Sequence, residues 1–167
     1  MTQARDLADF GVQSTSYDAV MVDMWRLTAN FGTNTSTVTG WEQPDSAWEA
    51  TIGASMSESS GIFTFPNTGL YRITGAFFMS LASGDTSAAV VLDVSTNSGS
   101  TYDVATQAVE SYGTNASGAF QTLMNVTDAS AFQVKLRTSG FNSGTIIAGN
   151  STYNSSSLIF ERITDAQ

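Results

Sequence analysis

The sequence predicts an all-β sandwich of two antiparallel sheets, preceded by a short N-terminal arm. Three observations carry that reading. Apolar and polar residues alternate at period two, most cleanly where Phe132, Val134 and Leu136 interleave with Gln133, Lys135 and Arg137. Clusters of Gly, Asn, Ser and Asp separate the alternating segments at short intervals, as turns between strands require. Charged residues make up only 13 % of the chain against 41 % hydrophobic, so polarity comes from Ser, Thr, Asn and Gly, a composition that suits strands and turns. With 167 residues, ten Phe, five Tyr and three Trp, the chain is long and aromatic enough for one domain with a real core.

Residues 1–19 differ from the rest. Ala4–Gly11 has the composition for one or two helical turns stopped by glycine, with Leu7 and Phe10 on a shared face suited to docking on a neighbouring subunit or assembly. Residues 20–167 form the sandwich. Its first strand opens at Val20: Met21, Asp23, Trp25 and Leu27 alternate with Val22, Met24 and Arg26, and apolar residues on both faces predict burial on both sides. Phe31 to Gly40 is rich in turns, with a short strand near Val38. Residues 41–54 form a polar loop carrying Trp41 and Trp48.

Gly61–Thr74, GIFTFPNTGLYRIT, is the most informative stretch. Phe63 and Phe65 alternate with Ile62 and Thr64. Pro66 lacks a donor N–H and ends that strand, and Gly69 permits the restart at Leu70–Leu81. Ala88–Val94 pairs with Thr101–Val109 across the turn at Thr96–Gly99. Phe120, Thr122, Met124 and Val126 alternate with Gln121, Leu123 and Asn125. After the turn at Asp128–Ser130 comes the strand through Leu136. Phe141–Tyr153 is a long loop centred on Ile146 and Ile147, and Leu158–Ile163 closes the chain. The count is nine to ten strands.

The same composition excludes several function classes. Fifteen acidic against six basic residues give a net charge of −9, and the basic residues are scattered, so nucleic acid and anionic membrane surfaces are not expected partners. There is no cysteine and no histidine, which removes disulfides, thiolate chemistry, the commonest general base and the commonest transition-metal ligand. No cofactor is expected, and no catalytic constellation stands out. The pairs Glu49 with Glu58 and Asp103 with Glu110 are the nearest to a glycosidase acid pair, and nothing in the sequence sets their separation. Asp93–Asp103 carries oxygen donors at alternate positions, but Ser98 and Val104 stand where an EF-hand loop needs Gly and Glu, so a hairpin turn fits better. Trp41 and Trp48, beside Glu42, Asp45 and Glu49, are candidates for a glycan-binding loop. Core or interface packing is the competing reading. The first residues lack the apolar stretch of a secretory signal, so the Asn-x-Ser/Thr triplets at Asn34, Asn115, Asn125, Asn150 and Asn154 are expected to stay unmodified.

The signature GIFTFPNTGLYRITGAFF, the strand–turn–strand unit Gly118–Arg137 and the closing strand Ser156–Glu161 together resemble the C1q/TNF-like jelly roll. The resemblance spans most of residues 57–163. It implies a homotrimer that binds rather than catalyses. No collagen-like Gly-X-Y stalk is present, and no residues match the calcium ligands of some family members. A narrower likeness joins Leu7-Ala8-Asp9, Val22–Leu27, Trp41-Glu42 and Gly61–Gly69, which is similar to uncharacterised structural proteins of marine tailed phages. It implies a virion protein made in a host cytoplasm, as a trimeric capsid decoration or head fibre held to a capsid or tail protein. A receptor-binding knob for a host glycan or surface protein, or a carbohydrate-binding module, are the alternatives. Met21, Trp25, Tyr71, Phe78 and Tyr102 are the candidates for the threefold interface, because the strands carry more apolar surface than one core needs.

Overall fold

A computed structural model of the protein describes residues 20–45, 51–111, 115–142 and 144–167. The arm with Leu7 and Phe10, and the loop residues Trp48 and Glu49, lie outside the described residues. Eleven strands fall among those described: β1 (Met21–Leu27), β2 (Trp41–Glu42), β3 (Ser57–Ser59), β4 (Ile62–Thr64), β5 (Gly69–Ser80), β6 (Ala88–Ser95), β7 (Asp103–Glu110), β8 (Ala116–Val126), β9 (Gln133–Ser139), β10 (Ile146–Ile147) and β11 (Ser157–Thr164). The described residues contain no α-helix.

They build two antiparallel sheets. In the first, β2, β1, β11 and β5 lie side by side, with β8 on the far side of β5 and the short β10 sharing the β11 side. The second runs β3-β4-β9-β6-β7. Successive strands in the chain repeatedly switch sheets, which is the jelly-roll connectivity. At one side of the sandwich the outermost strands β7 and β8 approach each other.

Alternation sets which residues face inward. Along β5, Tyr71, Ile73, Phe77 and Met79 are buried, and they interleave with Arg72, Thr74, Ala76 and Phe78. Along β9, Val134, Leu136 and Thr138 are buried. The core between the sheets is aromatic: Phe63 meets Trp25, Trp41 and Phe160 at ring-centroid distances of 5.4, 6.0 and 5.3 Å, and Phe65 meets Tyr71 at 4.8 Å. Gly75 faces this core, and its missing side chain leaves room for the Phe120 ring, which a Cβ would approach to 2.5 Å.

The structure corrects several expectations of the sequence. Trp41 belongs to a strand paired with Leu27, not to a loop. Ile146 and Ile147 form β10 and pair with Ser80 and Met79. The first strand also buries two charged residues that the sequence reading left without partners: Asp23 and Arg26 are each held by the segment after Trp41. The turn predicted after Phe65 is anchored by a bond that no local pattern shows, from the Tyr71 hydroxyl to the carbonyl of Asn67, 2.9 Å away.

Candidate assembly surface

The outer face of the first sheet is set by the same alternation that fills the core. β5 directs Arg72, Thr74, Ala76 and Phe78 outward. Register places Leu123, Gln121, Ala119 and Ser117 of β8 opposite them. On the other side Glu161 stands opposite Arg72 and Ile159 opposite Thr74, and β1 adds Val22 opposite Glu161 and Met24 opposite Ile159. Ile52 bridges to Val22 and extends that row. One line across the sheet therefore reads Ile52, Val22, Glu161, Arg72, Leu123. Its two ends, Ile52 and Leu123, are exposed apolar side chains, as are Val20, Ile163 and Phe78 on or beside this face. Leu123 is 61 % exposed and Phe78 38 %.

At the centre of the line, Arg72 Nε lies 2.5 Å from Glu161 Oε2. The Arg72 side chain is 42 % exposed and that of Glu161 27 %. The hydrogen bond and charge of Arg72 hold the Glu161 carboxyl below its ordinary range, and Glu161 in turn raises the guanidinium.

The edge beside this face is unusual. β8 pairs only with β5 among the described strands, so one row of its backbone groups is left without a strand partner. From Ala116 to Val126 it carries no charged residue and no proline. Soluble proteins ordinarily blunt an open edge with charge, proline or a bulge. The neighbouring edge strand β7 exposes Val104 and Val109, with acidic residues only at its ends, Asp103 and Glu110.

Of the five interface candidates, the structure brings only Phe78 to this surface. Met21 and Tyr71 are 1 % and 0 % exposed and fill the protomer's own core, so they have no surface to offer a neighbour. Trp25 packs edge-on against Phe63 and donates from Nε1 to Asp23, 2.9 Å away, so it belongs to the core's margin. Tyr102 lies by the other sheet: its hydroxyl donates to Gln133 Oε1 at 2.9 Å, and Lys135 Nζ stands 4.1 Å from its ring centre. Leu123, Ile52, Val20 and Ile163, which the structure leaves exposed on or beside this face, were not singled out from the sequence. Leu123 had a signal, since it is the apolar residue out of phase with Phe120, Met124 and Val126.

The other candidate chemistry does not converge either. Trp41 is buried, with Nε1 donating to the Val38 carbonyl at 3.0 Å, so it offers no platform to a sugar. Asp103 and Glu110 sit at opposite ends of β7, roughly 20 Å apart by strand rise, too far for a glycosidase pair. Glu58 accepts from the Gly61 N–H at 2.6 Å. In the Asp93–Asp103 segment, Ser95 Oγ accepts from Gly99 N at 2.9 Å and Asn97 Oδ1 from Thr101 N at 2.9 Å, so these oxygens order the hairpin.

No model of a known protein family matches the chain, and no curated protein matches it. Solved structures do. The chain is similar to Eiger TNF from S. frugiperda, with a TM-score of 0.67 and 14 % identity over 89 % of this chain and 96 % of that one. It is similar to murine APRIL at pH 5.0, with a TM-score of 0.65 and 10 % identity over 86 % and 99 %. A second murine APRIL structure, at pH 8.5, gives 0.64 and 9 % over 86 % and 98 %. The fold is a TNF-like jelly roll. Identities this low speak to the fold alone.

Proposed function

We propose that the protein is a homotrimeric structural protein of a tailed-phage virion, a capsid decoration or head fibre. The observation that carries the trimer is the pairing, on one protomer, of a β8 edge that has no second strand partner among the described strands and no charge of its own with an exposed apolar face on the same sheet. An edge that fits a face elsewhere on an identical chain makes a heterologous contact, and such contacts close into a ring when the rotation allows. The C1q/TNF-like resemblance implies a ring of three. Covering Leu123, Phe78 and the β8 edge would remove apolar surface and an unprotected edge from water together.

The virion assignment is supported by the likeness of Val22–Leu27, Trp41-Glu42 and Gly61–Gly69 to phage structural proteins, and by an acidic composition without His or Cys. The arm carrying Leu7 and Phe10 is the proposed attachment to the capsid or tail protein. The test has two parts. Light scattering on the full chain should give three times the protomer mass, and Leu123→Lys should give one, because a charge at the contact is desolvated without a partner. Mass spectrometry of banded phage particles from an infected host should find the chain in the particle. A monomeric wild type refutes the trimer, and absence from the particles refutes the virion role.

A further inference from the structure

We propose that Arg72 is the residue that reads the open edge of a second copy: its free guanidinium N–H groups donate to unpaired backbone carbonyls of the partner's β8. The inference rests on the trimer reading above and adds the chemistry that fixes its register.

Four observations carry it. Arg72 lies in the middle of the outer face, on the line from Ile52 through Val22 and Glu161 to Leu123. Among the described residues only its Nε is engaged, by Glu161 at 2.5 Å, and both terminal nitrogens keep their donors. Glu161 therefore acts as a positioning residue that holds the planar fork against the sheet and balances its charge. The β8 edge offers carbonyls with no strand partner; the Glu110 carboxylate of β7 lies beside Gly118, so the stretch of β8 without a competing acid of its own is Phe120–Val126, where Leu123 stands opposite Arg72.

An arginine suits this task for a physical reason. Covering an edge with an apolar surface alone would strand its carbonyls, and each stranded acceptor in a dry contact is costly. A neutralised guanidinium supplies several donors in fixed geometry without bringing a net charge into the contact. Apolar side chains at the ends of the line exclude water around it.

The test compares four proteins by sedimentation and light scattering across a dilution series: wild type, Arg72→Lys, Glu161→Gln and the double variant Arg72→Leu with Glu161→Leu. Circular dichroism and a urea midpoint confirm folding, which this half-exposed pair should alter little. Glu161→Gln should weaken assembly by about 100-fold or more, because it leaves the Arg72 charge uncompensated. Arg72→Lys should weaken it by about 10-fold, since an ammonium keeps the charge pair and loses the fork. The double variant decides between the roles. If Arg72 serves the edge carbonyls, removing both charges still weakens assembly, by about 10-fold per stranded acceptor. If the pair were only an ion pair, the apolar replacement would assemble as well as wild type or better. Tight assembly of the double variant with a trimeric wild type overturns this proposal alone. A monomeric wild type overturns the trimer reading and this proposal with it.

Discussion

Asp23 Oδ2 accepts the backbone N–H of Met56 at 2.8 Å, fastening the first strand to the entry of the β3–β4 hairpin thirty-three residues later. The same carboxylate accepts Trp25 Nε1 at 2.9 Å, Gln43 Nε2 at 2.6 Å and Thr51 Oγ1 at 3.3 Å. It is fully buried, and its two oxygens share four donors. A buried carboxylate survives only when its lone pairs are satisfied in this way.

Asp23→Ala should therefore lower stability by about 3 kcal/mol, because it strands the buried Met56 N–H and releases Gln43 and the 51–56 segment. Asp23→Asn keeps an acceptor and should cost about half as much. Urea denaturation of both variants is the check. A loss below about 0.5 kcal/mol for Asp23→Ala would mean that the segment repacks around the gap.

Two glycines with positive φ separate backbone strain from crowding. Gly61 has φ +83, and a Cβ there would run into the Val38 carbonyl, a backbone atom that cannot swing aside. Gly84 has φ +96 with nothing within 4 Å. Gly84→Ala should cost only the left-handed backbone penalty, about 1 kcal/mol. Gly61→Ala should cost that plus the clash, about 3 kcal/mol in all. Equal losses in thermal melts would show that the Ser60–Gly61 turn opens away from Val38.

Trp41 shows how a residue suited to recognition serves packing instead. Trp41→Ala should lower stability by about 3 kcal/mol or more through the cavity beside Phe63. Trp41→Phe keeps most of the ring contact, loses the bond to Val38 and should cost about 1 kcal/mol. Chemical denaturation distinguishes these. A stable, folded Trp41→Ala protein would argue that the side chain belongs to a surface after all.

Asp85 gives a pH prediction with a defined sign. Its carboxylate accepts from Thr145 Oγ1 and from Asn142 Nδ2, and these bonds, Thr145 first, hold it below the ordinary carboxylate range. The depressed value means that the contribution is fully present above the unfolded value of about 3.9 and is lost as pH falls through the folded one. Hydrogen exchange at Thr145 and Ile147, corrected for the intrinsic rate, should speed up below about pH 4 in the wild type. In Asp85→Asn it should be flat over the same range. An identical acid response in both proteins would assign the effect to another carboxylate.

The chain's local chemistry determined most of the strands. In β9 and β5 the alternation of Val134 with Lys135 and of Tyr71 with Arg72 is a property of neighbouring residues, and Pro66 and Gly69 punctuate it with backbone preferences that need no tertiary partner. The jelly-roll class followed from those strands and from the resemblance they carry. Three things could be decided only by tertiary structure. β3 and β10 are too short to show a period, and they exist because β4 and β5 present ladders to pair with. Alternation tells which side chains share a face but not which face is inward when both are apolar, so Met21 and Tyr71 pointed as well to an interface as to a core. The burial of Asp23 and Arg26, and the juxtaposition of Arg72 with Glu161 eighty-nine residues away, depend on pairings between distant segments. Such pairings are fixed by the closure of two sheets over one core, and no window of local sequence contains them.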